Sequence, residues 1–371
     1  MFSMFFGAGN VVFPMLLGQY AKDKNIYAVM GLLITAIAVP FMGLIAIILY
    51  EGDYRKFFGR IGRVPGFVVE AAIIGLIGPF GALPRCIALS YSTLSLYFPA
   101  LSLPLFSFLS CCLIFLLTVR QNRIVEILGY VLTPLLIGSL AIIIIMGLFL
   151  SPSAPHNSDS GLVVFLEGLR QGYQTMDLLG AFFFSSVILG YLRQDSRIKR
   201  ESDYRKLTWR AFKATMIGAS LLASTYIGFS YVTAFNSDAL ALVAKDEIPG
   251  KLAQLILGPY AGLVVCMAVS LACLTTAMAL AAVSGEFLHK DIAQNKISYS
   301  ASLLVTLGIS FFVSTLHFTG IIKILGPILE VCYPALILLS FLNILYKLLG
   351  FRPVKMPVAL LFLFTLFWRY R

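Results

Sequence analysis

Long apolar runs constrain this chain more than any other feature. Eleven of them follow one another, at roughly 1–20, 27–50, 66–94, 103–119, 126–149, 162–190, 208–234, 252–287, 299–316, 322–346 and 356–368. About 20 apolar residues in helical form cross the hydrocarbon core of a bilayer. No water reaches the peptide groups there, so each run must satisfy its own backbone as a helix. The expected fold class is an all-α polytopic membrane protein with about 11 transmembrane helices. Composition agrees, with 59% hydrophobic residues, 12% charged residues and a mean hydropathy of +0.92; a soluble domain carries roughly 25% charged residues. No positive stretch precedes an apolar core at the start, so no cleaved signal is expected.

The net charge of +11 suggests nucleic acid until its distribution is read. Alternate loops hold Arg55, Lys56, Arg60 and Arg63, then Arg120 and Arg123, then a dense basic segment from Arg193 to Lys213, then Lys290 and Lys296, then Lys347, Arg352 and Lys355. The opposite loops hold far fewer, among them Lys22, Lys24, Lys245, Lys251 and Lys323. Positive charge marks the cytoplasmic side, so a cytoplasmic N-terminus is expected. The basic balance then reflects topology, with the lipid bilayer and its acidic headgroups as partner and no nucleic acid. Six cysteines fall inside predicted spans without a C-x-x-C or Cys/His cluster, so neither a disulfide framework nor a zinc site is expected. The three histidines are scattered, which disfavours a membrane-embedded enzyme.

Spans one to five and six to ten form two sets of five. An odd number of spans sends the second set through the membrane in the opposite sense, which is an inverted repeat. The expected units are 1–150, 151–350 and a C-terminal span within 351–371. Each set opens with an interrupted segment. The first carries Gly7-Ala8-Gly9-Asn10 and then Pro14; the second carries Gly172-Tyr173-Gln174-Thr175-Met176-Asp177. A matched pair of interruptions points to a transporter binding site, because half-helix N-termini attract carboxylates and freed carbonyls attract cations. Gly7, Ala8, Gly9, Asn10, Tyr173, Gln174 and Thr175 are the candidate substrate residues, with Phe182 and Phe183 as an apolar rest for a side chain.

Three charges lie at membrane depth, where ionisable groups are rare and usually functional. Asp177 is either a functional acid or a structural carboxylate paired with a base such as Arg85. Glu330 either carries a proton or pairs with a base such as Lys323. Arg85, in Gly78-Pro79-Phe80-Gly81-Ala82-Leu83-Pro84-Arg85, needs a partner. Glu167 and Arg170 are three residues apart and are expected to pair. In span eight, Thr275 and Thr276 together with the carbonyl of Ala272 offer neutral oxygens to a monovalent cation, or bond back to their own helix.

The runs Phe5–Pro14, Ile77–Arg85 and Gly172–Asp177, with Gly285-Glu286-Phe287 and Pro327…Tyr333-Pro334, resemble the bacterial branched-chain amino acid:cation symporters of the BrnQ type. The resemblance spans nearly the whole chain. It implies a leucine-transporter-like 5+5 inverted repeat with broken helices one and six, in the bacterial inner membrane. It implies sodium symport of leucine, isoleucine and valine, with no cofactor beyond Na⁺ as coupling ion. It also implies a sodium site at Phe6, Ala272, Thr275 and Thr276. The family pattern has a longer first span and a twelfth span, so the expectation here is an intact second break and a weakened first one. Proton coupling with other apolar amino acids, or a shortened carrier acting as sensor or scaffold, are the alternatives.

Overall fold

The computed structural model describes residues 2–119, 133–150, 153–196 and 201–369. Arg120, Arg123, Ser151, Pro152, Arg197, Lys199, Arg200 and Arg371 lie outside the described residues, as does the start of span five. Among the described residues every regular element is helical.

Span one is two helices, α1 (Phe2–Phe5) and α2 (Ala8–Ala21), separated at Phe6 and Gly7. Span two is α3 (Asn25–Leu33), a π-helical turn (Ile34–Ala38) and α4 (Val39–Leu49). The widened turn sits directly before Pro40, which has no N–H to give the preceding turn. A short α5 (Tyr54–Gly59) leads into α6 (Arg63–Ile77) and α7 (Ala82–Ser95). Span three is therefore also interrupted, at Gly78–Gly81, beyond the two breaks expected from the sequence. Side chains would not fit there: a Cβ on Gly78 would strike Ser284, and one on Gly81 the carbonyl of Leu76.

The chain continues through α8 (Leu103–Thr118) and α9 (Thr133–Leu150). Span six is α10 (Gly161–Gln174) and α11 (Asp177–Ser196). Its break is narrower than the sequence suggested, only Thr175 and Met176. Met176 itself makes the turn, at φ +63°, a left-handed conformation uncommon outside glycine. Gly172 remains inside α10.

α12 (Glu201–Phe235) follows; with α11 it runs helically into the basic 193–207 segment that the sequence presented as a loop. α13 (Ile248–Phe287) bends sharply at Gly258, φ +77°, before Pro259. α14 (Tyr299–Ser314), α15 (His317–Leu349) and α16 (Lys355–Arg369) complete the bundle. Large apolar side chains such as Phe149, Tyr260, Leu363 and Trp368 remain exposed, as they must where the solvent is lipid.

The core is assembled reciprocally. Span two runs along both halves of span six, α3 against α10 and α4 against α11, and α12 lies along α2. α7 packs on α13 behind them. Apolar burial alone gives little drive between helices in lipid, so close backbone approach matters. Glycines provide it. A Cβ on Gly168 would collide with the Ala28 carbonyl, on Gly31 with the Phe165 carbonyl, and on Gly18 with the Ser230 carbonyl. Thr35 reinforces the α3–α10 contact by donating to the Leu169 carbonyl at 2.9 Å.

Gly168→Val is expected to lower the melting temperature of the detergent-purified protein, costing about 1–3 kcal/mol by overpacking. Gly308→Val, which has open space around it, is expected to leave it unchanged.

Candidate functional site

The two interruptions face each other across a narrow cavity of ≈ 30 Å³. Gly7, Ala8, Gly9 and Asn10 reach it from span one, Thr175, Met176 and Asp177 from span six, Arg85 from α7 and Thr276 from α13.

At the first break Gly7 is extended and opens α2. Its N–H has no partner in the preceding turn. Asn10, three residues on, supplies one: its Oδ1 accepts from the Gly7 N–H at 3.1 Å. The amide nitrogen of the same side chain lies 2.8 Å from each carboxylate oxygen of Asp177. Asn10 thus caps one half-helix and ties it to the first residue of the other. Tyr226 of α12 donates to Asp177 Oδ2 at 2.8 Å and also touches the Asn10 amide. All three residues are buried.

The freed Phe6 carbonyl accepts from Thr276 Oγ1 at 3.1 Å, so α13 meets the first break directly. Thr275 donates to the Ala272 carbonyl at 2.7 Å. Thr276 thus joins α13 to the first break, whereas Thr275 and Ala272 bond to each other within α13 itself. At the second break, Thr175 Oγ1 donates to the Gly172 carbonyl at 2.9 Å and Arg85 Nη2 to the Gln174 carbonyl at 3.0 Å. A freed end of α10 is thus satisfied from span three.

Several expected roles change. The Tyr173 ring packs tilted against that of Tyr333, centroids 4.8 Å apart, and Gln174 borders a different cavity; neither lines the space between the breaks. Phe182 and Phe183 pack on Phe57 and Phe58. The aromatic residues on the cavity are instead Phe5 and Phe184, edge to face at 5.3 Å. Helix phase explains the exchange, since Asp177, Gly180 and Phe184 stand at i, i+3 and i+7 on one face of α11. Asp177 bonds to Asn10 and Tyr226 rather than forming an ion pair with Arg85. Glu330 is paired with Arg170 and, at 3.3 Å, with Arg369 in place of Lys323. Arg170 keeps a looser contact of 3.8 Å to Glu167. These charges border the second cavity, ≈ 330 Å³, beyond Gln174. Tyr226 was not singled out from the sequence; a lone tyrosine in an apolar span carries little signal.

Removing the Tyr226 hydroxyl leaves a buried carboxylate oxygen with one donor fewer. Tyr226→Phe is expected to destabilise the protein by about 1–3 kcal/mol, read as a lower melting temperature in detergent.

Comparisons with known proteins agree with this architecture. The family model described as "Branched-chain amino acid transport protein" matches residues 1–368. The branched-chain amino acid permease BrnQ of Bacillus subtilis is 30% identical over 99% of this chain and 84% of its own length. The branched-chain amino acid transport system 2 carrier protein of Pseudomonas aeruginosa is also 30% identical, over 97% of this chain and 83% of its own. Among solved structures, MhsT in complex with L-phenylalanine superposes with a TM-score of 0.56 at 16% identity, covering 98% of this chain and 96% of that one. That likeness shows the expected fold, the leucine-transporter-like inverted repeat with helices one and six broken. With its full-length family match and relatives of this similarity, the chain is a multi-pass membrane protein and belongs to the branched-chain amino acid transport protein family.

Proposed function

We propose that this protein carries leucine, isoleucine and valine into the cell across the bacterial inner membrane by sodium symport, with its N-terminus in the cytoplasm. The observation that carries the reading is the meeting of both helix breaks at one small cavity. Freed backbone at membrane depth is tolerated where it lines a cavity or meets protein, and here it does both. The names of the relatives supply the substrate class. In this reading residues 1–150 and 151–350 are the two inverted units, and 351–371 a peripheral addition.

The cavity of ≈ 30 Å³ is far below the roughly 300 Å³ of an ordinary small-molecule site. Substrate therefore enters only when the surrounding helices part. Spans one, two, six and seven pack closely through Gly18, Gly31 and Gly168, which suits them to move as one body against the rest. The substrate's ammonium group is matched by carbonyls of the first break and Thr175, and its aliphatic side chain by Phe5 and Phe184.

Sodium is assigned to the junction of Phe6, Ala272, Thr275 and Thr276. Neutral oxygens suit a hard monovalent cation, and the 3.1 Å separation of Thr276 Oγ1 from the Phe6 carbonyl leaves both within reach of one ion. Asp177 favours a second reading, proton coupling, because it is a buried carboxylic acid on the cavity.

Leucine uptake into proteoliposomes decides between them. Sodium symport requires that an inward Na⁺ gradient drive uptake and that Thr276→Val raise the Na⁺ concentration for half-maximal uptake about tenfold, the loss of one ligand oxygen. Uptake driven by a pH gradient and indifferent to Na⁺ would overturn sodium coupling. Absence of uptake of all three amino acids under both gradients would overturn the transport reading.

A further inference from the structure

We propose that Arg85 binds the carboxylate of the transported amino acid. The inference rests on the transport reading above and adds the residue that recognises the substrate's negative end.

Arg85 is 1% exposed and sits in the first turn of α7, between the two breaks. Among the described residues it forms no ion pair with an acid. Its described hydrogen-bond acceptors are neutral: the Gln174 carbonyl at 3.0 Å and the Met176 sulfur at 3.1 Å. Sulfur is a weak acceptor. The Nε–H has no partner among the described residues. The rings of Phe13 and Phe318 lie 5.0 Å and 5.6 Å from the guanidinium carbon. They offer cation–π contact but no anion.

A guanidinium buried this way at membrane depth is costly without a countercharge. Among the described residues Asp177 is the only acid on the same cavity, and its oxygens are already engaged by Asn10 and Tyr226. The first turn of α2 passes beside the guanidinium: a Cβ placed on Gly9 would lie 3.1 Å from Arg85 Nη2 and 3.0 Å from the Thr175 carbonyl oxygen. An anion in the cavity would therefore meet Arg85 together with the positive N-terminal end of α2. The only anionic group on an apolar amino acid is its carboxylate, whose two oxygens match the planar donor fork of arginine.

The test compares leucine with leucinol, which keeps the side chain and the amine but lacks the carboxylate. Binding is read on the detergent-purified full chain in NaCl as the ligand-induced rise in melting temperature. The wild type is expected to bind leucinol about 100-fold more weakly than leucine, since a buried charge would lose its partner. Arg85→Met is expected to weaken leucine by about the same factor while leaving leucinol within about threefold. Arg85→Lys is expected to retain part of the preference for leucine. Equal weakening of both ligands in Arg85→Met would show a structural role and overturn the assignment. So would a variant that binds leucine as the wild type does. A wild type that binds none of the three branched-chain amino acids would instead overturn the transport reading, and the assignment with it.

Discussion

Peptide groups released in the middle of a membrane must find partners inside the protein, and here the two breaks supply them for each other. Asn10 is the centre of that exchange. Its oxygen takes the Gly7 N–H and its nitrogen reaches both oxygens of Asp177. Span seven adds Tyr226, span eight adds Thr276 on the Phe6 carbonyl, and span three adds Arg85 on the Gln174 carbonyl. Five spans therefore converge on one small volume because an unpaired buried polar group costs on the order of 1–3 kcal/mol.

The same economy makes the site suited to change shape. Hydrogen bonds between side chains and freed backbone can be exchanged for bonds to a ligand, whereas the bonds inside a continuous helix cannot. The tight glycine contacts of α3 with α10 and of α2 with α12 lie away from the cavity and keep those helices together. Adaptable polar contacts sit at the centre and rigid packing surrounds them, so opening the cavity need not disrupt the helix pairs.

Much of this was legible in the sequence. The apolar runs gave the membrane class, and Gly7–Asn10 and Gly172–Asp177 located both breaks to within a few residues. The misplaced residues share a cause. Tyr173 and Gln174 lie on the last turn of a helix, not in open chain, because the turn falls on Met176 at φ +63°, a residue with no glycine-like preference to announce it. Phe184, rather than Phe182 or Phe183, reaches the cavity because the phase of α11 is set by where it starts, at Asp177; one position around a helix turns a side chain by about 100°. The third interruption, Gly78–Gly81, was visible as a Gly/Pro cluster but not as a break.

By itself the sequence determined that the chain crosses a membrane many times and that two of its spans are interrupted. Those outcomes follow from local chemistry: backbone that cannot be solvated must be helical, and Gly or Pro loosens it. Only the tertiary structure decided what the interruptions meet. The pairing of Asn10 with Asp177, separated by 167 residues, the contact of Thr276 with Phe6, and the choice of Arg170 and Arg369 as partners of Glu330 depend on how spans distant in sequence pack. No local propensity encodes those distances, because they are set by which helix faces approach closely enough to exclude lipid.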